Sequence, residues 1–236
     1  MIKRKVVVIG NSVTIRVRPK TNNDLQNIYS FILNDKLSNY GNYEVVNIGK
    51  TRYLTSEFVE DRNRIIKFQP DYYILNVGCV DAPPREIPRW FSDIIFHRRY
   101  ALLFPLSDFI YKHIIKKYLR KKLMFLRGKK PWVNIEDFRK NIQMFVQDIK
   151  QHTTAKIIII GINKGNSRIE NALPGILGSY FDYNNVLIEE SRNANCIFVD
   201  VSDLESIDHF PDGVHYNKKG HQIIANRLFN LMNYDN

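Results

Sequence analysis

Apolar positions along the chain follow two alternating rhythms. One is a set of short, largely apolar runs: Lys5–Ile9 before Gly10, Tyr43–Ile48 before Gly49, Tyr72–Val77 before Gly78, Lys156–Ile160 before Gly161, and Cys196–Val199. Such runs, rich in β-branched residues and closed by glycine, predict strands buried on both faces, as in parallel sheets. Between them the spacing turns helical. Leu25, Ile28, Tyr29, Ile32 and Leu33 follow Asn22-Asn23-Asp24, which reads as a helix start. Tyr53–Phe68 carries Leu54, Phe58, Ile65 and Phe68 toward one side. Ile135–Gln151, Tyr180–Ala194 and Lys218–Met232 read as further helices, and 163–178 as a polar loop. Alternation of this kind predicts an α/β architecture, five parallel strands with helices on both faces. No repeat and no linker divides the 236 residues, so one domain over 1–236 is expected.

The stretch from about 89 to 132 departs from the rhythm and reads as an insertion after the third strand. It follows an irregular loop with Pro83, Pro84 and Pro88. Within it Leu106, Phe109, Ile110, Ile114, Tyr118 and Leu119 predict one apolar helix face. Lys112, Lys116 and Arg120 recur every fourth residue on another.

Charge makes this insertion matter. The chain carries a formal net charge of +11, and 97–130 holds eleven lysines and arginines against a single acid, Asp108. The rest is close to neutral, so the positive field is local. Three readings of the basic helix at 106–127 stay open: a solvated face, a seat on an anionic membrane surface, or a dimer contact. With no recognised binding fold and no aromatic stacking platform, nucleic acid is disfavoured. The sequence carries no sign of an oligomeric state.

Hydrophobic content of 44% with 25% charged residues describes a globular chain. Cys79 and Cys196 lie in or beside apolar runs, and two cysteines make no disulfide framework; a reduced, cytoplasmic setting is expected, with the inner membrane face within reach of the basic helix. The apolar run at the N-terminus is too short for a secretory core and is followed by no small-residue cleavage site. No stretch is long and apolar enough to cross a bilayer.

Chemistry concentrates near the C-terminus, in Phe210-Pro211-Asp212-Gly213-Val214-His215 and the residues through His221. A carboxylate three residues before an imidazole can hold one ring nitrogen and leave the other as a proton acceptor. The same pair could be a helix cap beside a surface histidine. A base needs a nucleophile, and Ser12, after the first strand, is the natural one, although alone it would pass for a turn serine. Ligands of parallel sheets bind beyond the carboxyl ends of the strands, where Ser12, Gly49, Gly78–Asp81 and Asp212/His215 all fall.

Gly10-Asn11-Ser12, Gly49, Gly78-Cys79-Val80-Asp81 and Asp212-x-x-His215, in that order, resemble the conserved blocks of the SGNH or GDSL-type hydrolases. The resemblance implies a flavodoxin-like three-layer α/β/α sandwich and a serine esterase or acyltransferase that requires no metal or organic cofactor. It implies Ser12 as nucleophile, His215 as general base and acid, and Asp212 as the group that orients the ring. The backbone N–H groups of Ser12 and Gly49 would form the oxyanion hole.

Two positions depart from the family pattern. Asn11 replaces an aspartate, and Val80 stands where the family has an asparagine that donates to the oxyanion. Arg85 is the nearest replacement donor in sequence, and is also a candidate for binding a substrate carboxylate or phosphate. Asn11 and Asp81 are expected either to touch substrate or to hold the turns. The Gly-Cys-Val-Asp-Ala-Pro-Pro-Arg stretch is similar to family members linked to bacterial surface-polysaccharide synthesis, which implies an acylated sugar or polysaccharide precursor as partner. Against this stands a glycan-binding protein that keeps the fold with impaired chemistry. His221 is expected to be structural and Cys79 a small buried side chain. His97, His113, His152 and His209 are scattered without metal-ligand spacing.

Overall fold

The computed structural model describes residues 3–20, 22–96, 106 and 109–233. Five strands, β1 (Arg4–Gly10), β2 (Tyr43–Asn47), β3 (Tyr72–Asn76), β4 (Lys156–Ile160) and β5 (Ile197–Val199), form one sheet in the order β2-β1-β3-β4-β5. Every pairing is parallel: Val6 lies opposite both Val45 and Tyr72, Tyr72 opposite Lys156, and Ile158 opposite Ile197. The expected all-parallel sheet is therefore what forms, and for the expected reason. Val6 to Ile9 and Ile158 to Ile160 are fully buried, because helices cover both faces.

One helical layer pairs α1 (Tyr29–Tyr40) with the last helix. The other holds α2 (Thr55–Ile66) and two long helices in contact, α5 (Ile135–His152) and α7 (Ile176–Asn193). Between β3 and α5 lie α3 (Arg89–Phe96), a π-helical segment (Tyr111–Leu119) and α4 (Arg120–Leu126). Short helices α6 (Ser167–Ala172) and α8 (Ser206–His209) precede α7 and the last helix, α9 (Lys218–Asn233).

Three expectations shift. Helix α1 starts at Tyr29 rather than near Asn22, because Ile28 is extended at φ −79°, ψ 144° and ends a short 3-10 turn at Leu25–Asn27. The loop at 163–178 contains α6, whose free N–H of Ile169 is capped by the Asn166 side chain at 3.0 Å. The Glu170 carboxylate then takes the N–H groups of Gly175 and Leu177, which launches α7. The third shift concerns the insertion. Of the expected apolar face, Leu106, Phe109, Ile114, Tyr118 and Leu119 are exposed. Ile115 and Met124 are the buried residues, with Ile110, Tyr111 and Leu123 partly buried beside them. Winding by i→i+5 bonds moves the inward side away from the 3.6-residue spacing. Of the insertion and its basic helix, 97–105, 107 and 108 lie outside the described residues, His97 among them.

The order 2-1-3-4-5 reverses direction between β1 and β3. Beyond the carboxyl ends of these two strands a crevice is left by the helices that depart to opposite faces, and ligands of such sheets bind there.

Candidate active site

Ser12 opens a one-turn 3-10 helix directly after β1, capped by the Asn11 side chain on the N–H of Val13 at 3.3 Å. From the other end of the chain, Asp212 and His215 arrive in the loop before α9. Gly213 holds that loop at φ 83°, in the left-handed region, where a Cβ would lie 2.5 Å from Asn166 Oδ1. The Asp212 carboxylate then does two jobs. Its Oδ1 accepts the N–H groups of Val214 at 2.9 Å and His215 at 2.7 Å, closing the turn. Its Oδ2 lies 2.8 Å from His215 Nδ1. On the far side of the ring, His215 Nε2 is 2.9 Å from Ser12 Oγ. Hydroxyl, ring and carboxylate thus form one hydrogen-bonded line across 203 residues of sequence separation.

Burial of Asp212 favours its neutral form, but the hydrogen bond and charge of His215, with the two backbone N–H groups, outweigh it. The carboxyl sits below the ordinary aspartate range. An ionised Asp212 fixes the proton of a neutral ring on Nδ1, so that Nε2 presents a lone pair to Ser12. Ser12 is 9% exposed.

The surrounding residues are sorted less simply. Asn11, considered for substrate contact, is fully buried; its Oδ1 caps the Ser12 turn and accepts the Cys79 thiol at 3.0 Å. Asp81 is likewise fully buried. Its Oδ1 accepts the N–H and hydroxyl of Thr55 at 2.8 and 2.7 Å, so it caps α2 rather than touching substrate. Burial lifts its carboxyl to about 6, against the opposing pull of those Thr55 bonds and of Arg85. Burial, with the charge of Asp81 adding, pushes the Cys79 thiol up to about 12, which fits a small buried side chain rather than a thiolate.

Gly49 needs a larger correction. Its N–H, expected to face an oxyanion, donates instead to Asn47 Oδ1 at 2.9 Å. Glycine is required there for another reason: a Cβ would fall 2.1 Å from Thr14 Oγ1. Asn47 is the residue that sequence reasoning missed. Its Nδ2 donates to the Thr14 carbonyl at 2.8 Å and to Ser30 Oγ at 2.7 Å, tying the β2 loop to the Ser12 turn and to α1. An asparagine ending a strand two residues before a glycine was the available signal.

Val80 is 7% exposed and offers no side-chain donor. Arg85 does not replace it in this arrangement: Nη2 donates to the Val80 carbonyl at 2.7 Å, and the guanidinium lies 4.0 Å from the Trp132 ring centre. Arg52 has a left-handed backbone at φ 61°, a conformation that ordinarily selects glycine. Desolvation lowers its pKa first, and the nearby charges of Arg85 and Arg16 lower it further while Tyr111 and Glu86 oppose them. Arg16, Arg52 and Arg85, from the loops after β1, β2 and β3, thus lie near enough to feel one another's charge, with Glu86 among them as a counter-charge. His221 is structural, as expected. Fully buried, it accepts the Tyr29 N–H on Nδ1 and donates from Nε2 to the Arg16 carbonyl at 3.0 Å. Among the described residues, no group of three or more His, Cys, Asp or Glu could hold a metal ion.

A sheet of this order, with a serine after β1 and an Asp-x-x-His before the last helix, defines an SGNH-type hydrolase fold. The family model for the GDSL-like lipase/acylhydrolases matches residues 8–223, and the chain belongs to that family of serine esterases. Solved structures agree on the fold. A lipase/acylhydrolase from Enterococcus faecalis superposes with a TM-score of 0.65 at 15% identity, covering 97% of this chain and 95% of that one. Axe2, an acetylxylan esterase from Geobacillus stearothermophilus, gives 0.63 at 20% identity over 96% and 93%. LAE5, an alpha/beta hydrolase enzyme from the metagenome of Lake Arreo, Spain, gives 0.61 at 19% over 94% and 92%. No curated protein is significantly similar to the chain in sequence.

Proposed function

We propose that this protein removes O-acyl groups, acetyl first among them, from a carbohydrate, by way of an acyl-enzyme on Ser12. The observation that carries the reading is the continuous line Ser12 Oγ–His215 Nε2, His215 Nδ1–Asp212 Oδ2, at 2.9 and 2.8 Å. In the proposed reaction Ser12 Oγ attacks the ester carbonyl carbon and its proton passes to His215 Nε2. The tetrahedral intermediate collapses, and the C–O bond to the sugar breaks. His215 returns the proton to the departing hydroxyl. Water then attacks the acyl-Ser12 ester with His215 as base, releasing the acid and restoring the hydroxyl. Asp212 remains ionised throughout and stabilises the imidazolium. With the Gly49 N–H bonded to Asn47, the Ser12 N–H is the first donor proposed for the oxyanion.

A carbohydrate substrate is supported by the structural likeness to Axe2, described as an acetylxylan esterase and an acetyl-xylooligosaccharide esterase. Arg16 and Arg52, in the loops beyond β1 and β2, favour a sugar that carries a carboxylate or phosphate, as precursors of surface polysaccharides do, and a cytoplasmic site of action fits such precursors. Transfer of the acyl group to a second sugar hydroxyl uses the same steps with a different acceptor. A second reading, a slow catalyst that chiefly holds its acylated glycan, is favoured by Val80 and by the occupied Gly49 N–H.

Labelling with a fluorophosphonate, followed by mapping of the modified peptide, separates the two. Stoichiometric labelling at Ser12, with acetate release from an acetylated sugar that Ser12→Ala abolishes, is the expected result. An unlabelled Ser12 in folded protein would overturn the nucleophile and leave the binding reading.

A further inference from the structure

We propose that the insertion before α5 is a docking surface for anionic lipid, which seats the protein on a membrane with the sheet edge nearby. The inference goes beyond the esterase reading and does not depend on it. Its basis is a division of labour around one helix. The inner side is fixed to the body: Tyr111 OH donates to Glu86 at 2.7 Å, Arg120 Nε lies 3.4 Å from the same buried carboxylate, and Ile115 packs on Ile87. Met124 is 1% exposed. Arg127 Nε donates to the Arg85 carbonyl, and Trp132 Nε1 to that of Ile87. These contacts tie the helix to the loop after β3, which also carries Cys79 and Val80 beside the site.

The outer side is the anomaly. Fourteen large hydrophobic side chains are exposed among the described residues, and eight of them belong to this region, from Trp90 to Leu126. Tyr118, Phe125 and Leu126 are 64%, 77% and 79% exposed. Exposed Lys116, Lys117, Lys121 and Lys122 are interleaved with them, and no acid occurs between Ile110 and Lys130. A merely solvated helix has no use for so many aromatic and aliphatic side chains outside. A second copy meeting this face by two-fold symmetry would set two lysine arrays against each other. An anionic bilayer satisfies both halves: acidic headgroups take the lysines, and the interface takes the rings and leucines. No helix among the described residues is long and apolar enough to cross a membrane, so the contact proposed is peripheral.

The test is co-sedimentation of the whole chain with phosphatidylcholine vesicles, with and without phosphatidylglycerol. Binding should require phosphatidylglycerol and should disappear near 1 M salt, where charges are screened beyond about 3 Å. Replacing Lys116, Lys121 and Lys122 by serine should weaken partition about a hundredfold. Phe125→Ser with Leu126→Ser should weaken it about tenfold or more. Both variants should turn over a soluble acetyl ester at the native rate, which reports an intact fold and site. Absence of vesicle binding by the native chain, or binding indifferent to phosphatidylglycerol and salt, overturns the proposal. So does a concentration-dependent dimer abolished by Phe125→Ser/Leu126→Ser without vesicle binding, which assigns the face to a second copy. Loss of ester turnover by the native chain would leave the vesicle result standing.

Discussion

Replacing Asp212 by asparagine should stop the chemistry while leaving the loop in place, and the geometry says why. The carboxylate has two distinct oxygens: Oδ1 accepts the N–H groups of Val214 and His215, and Oδ2 faces His215 Nδ1 at 2.8 Å. An asparagine carbonyl can keep the first pair only by turning its NH2 toward the ring. Nδ1 then has to accept, the ring proton moves to Nε2, and Ser12 meets a donor where it needs a base. The equivalent inversion in a serine-protease triad costs on the order of 10⁴ in kcat. Stability should fall by only about 1–2 kcal/mol, since the turn-closing bonds survive without their charge. Asp212→Ala, which strands both backbone N–H groups, should cost more, about 1–3 kcal/mol for each. Initial rates on a chromogenic acetyl ester and urea denaturation of the same samples measure both quantities. A folded Asp212→Asn protein within tenfold of native activity would falsify the tautomer argument and with it the role given to Asp212.

Further expectations concern the supports of the site. Ser12→Ala should reduce acetyl-ester turnover to background with native denaturation, and unchanged turnover removes Ser12 from the reaction. Gly49→Ala places a Cβ 2.1 Å from Thr14 Oγ1, next to the serine turn. It should cost about 1–3 kcal/mol by overpacking and lower kcat at least tenfold, whereas a neutral outcome would mean the β2 loop does not brace Ser12. His221 gives a pH signature. Burial lowers its pKa from 6.5 to about 4, so between those values the unfolded chain binds a proton that the folded chain refuses. At about 1.4 kcal/mol per pH unit, acidification through that window removes about 3 kcal/mol of stability from the native protein. His221→Phe escapes that loss, so the stability gap between the two chains should narrow from pH 7 to 4. Asp81 titrates in the same window with opposite sign, but equally in both chains. A gap independent of pH would show that His221 is not held neutral.

How much of this was legible depended on how local the cause was. The strands Arg4–Gly10 and Lys156–Ile160 were readable because burial on both faces leaves only apolar choices at nearly every position. Asp212 and His215 were readable because three residues of turn suffice to join them. Pairing with Ser12 needed the sheet order as well, and only the succession of blocks along the chain hinted at it. The insertion was legible only in part: periodicity shows that a helix has an apolar side, not what covers it. Asn11, Asp81 and Arg85 carried the right polarity for ligand contact, yet their partners are Val13, Thr55 and Val80, fixed by packing that spacing does not encode. Gly49 was found at the right place with the wrong explanation, since the neighbour that demands a missing Cβ, Thr14, comes from another strand's loop.

Ser12 leaves the ribosome with the first strand, whereas its proposed base, His215, is made 203 residues later, just ahead of α9. The two side chains meet only after β2 to β5 have been made and paired. On the reading proposed above, a chain cut anywhere before His215 would hold Ser12 without its base, even where most of the sheet had assembled.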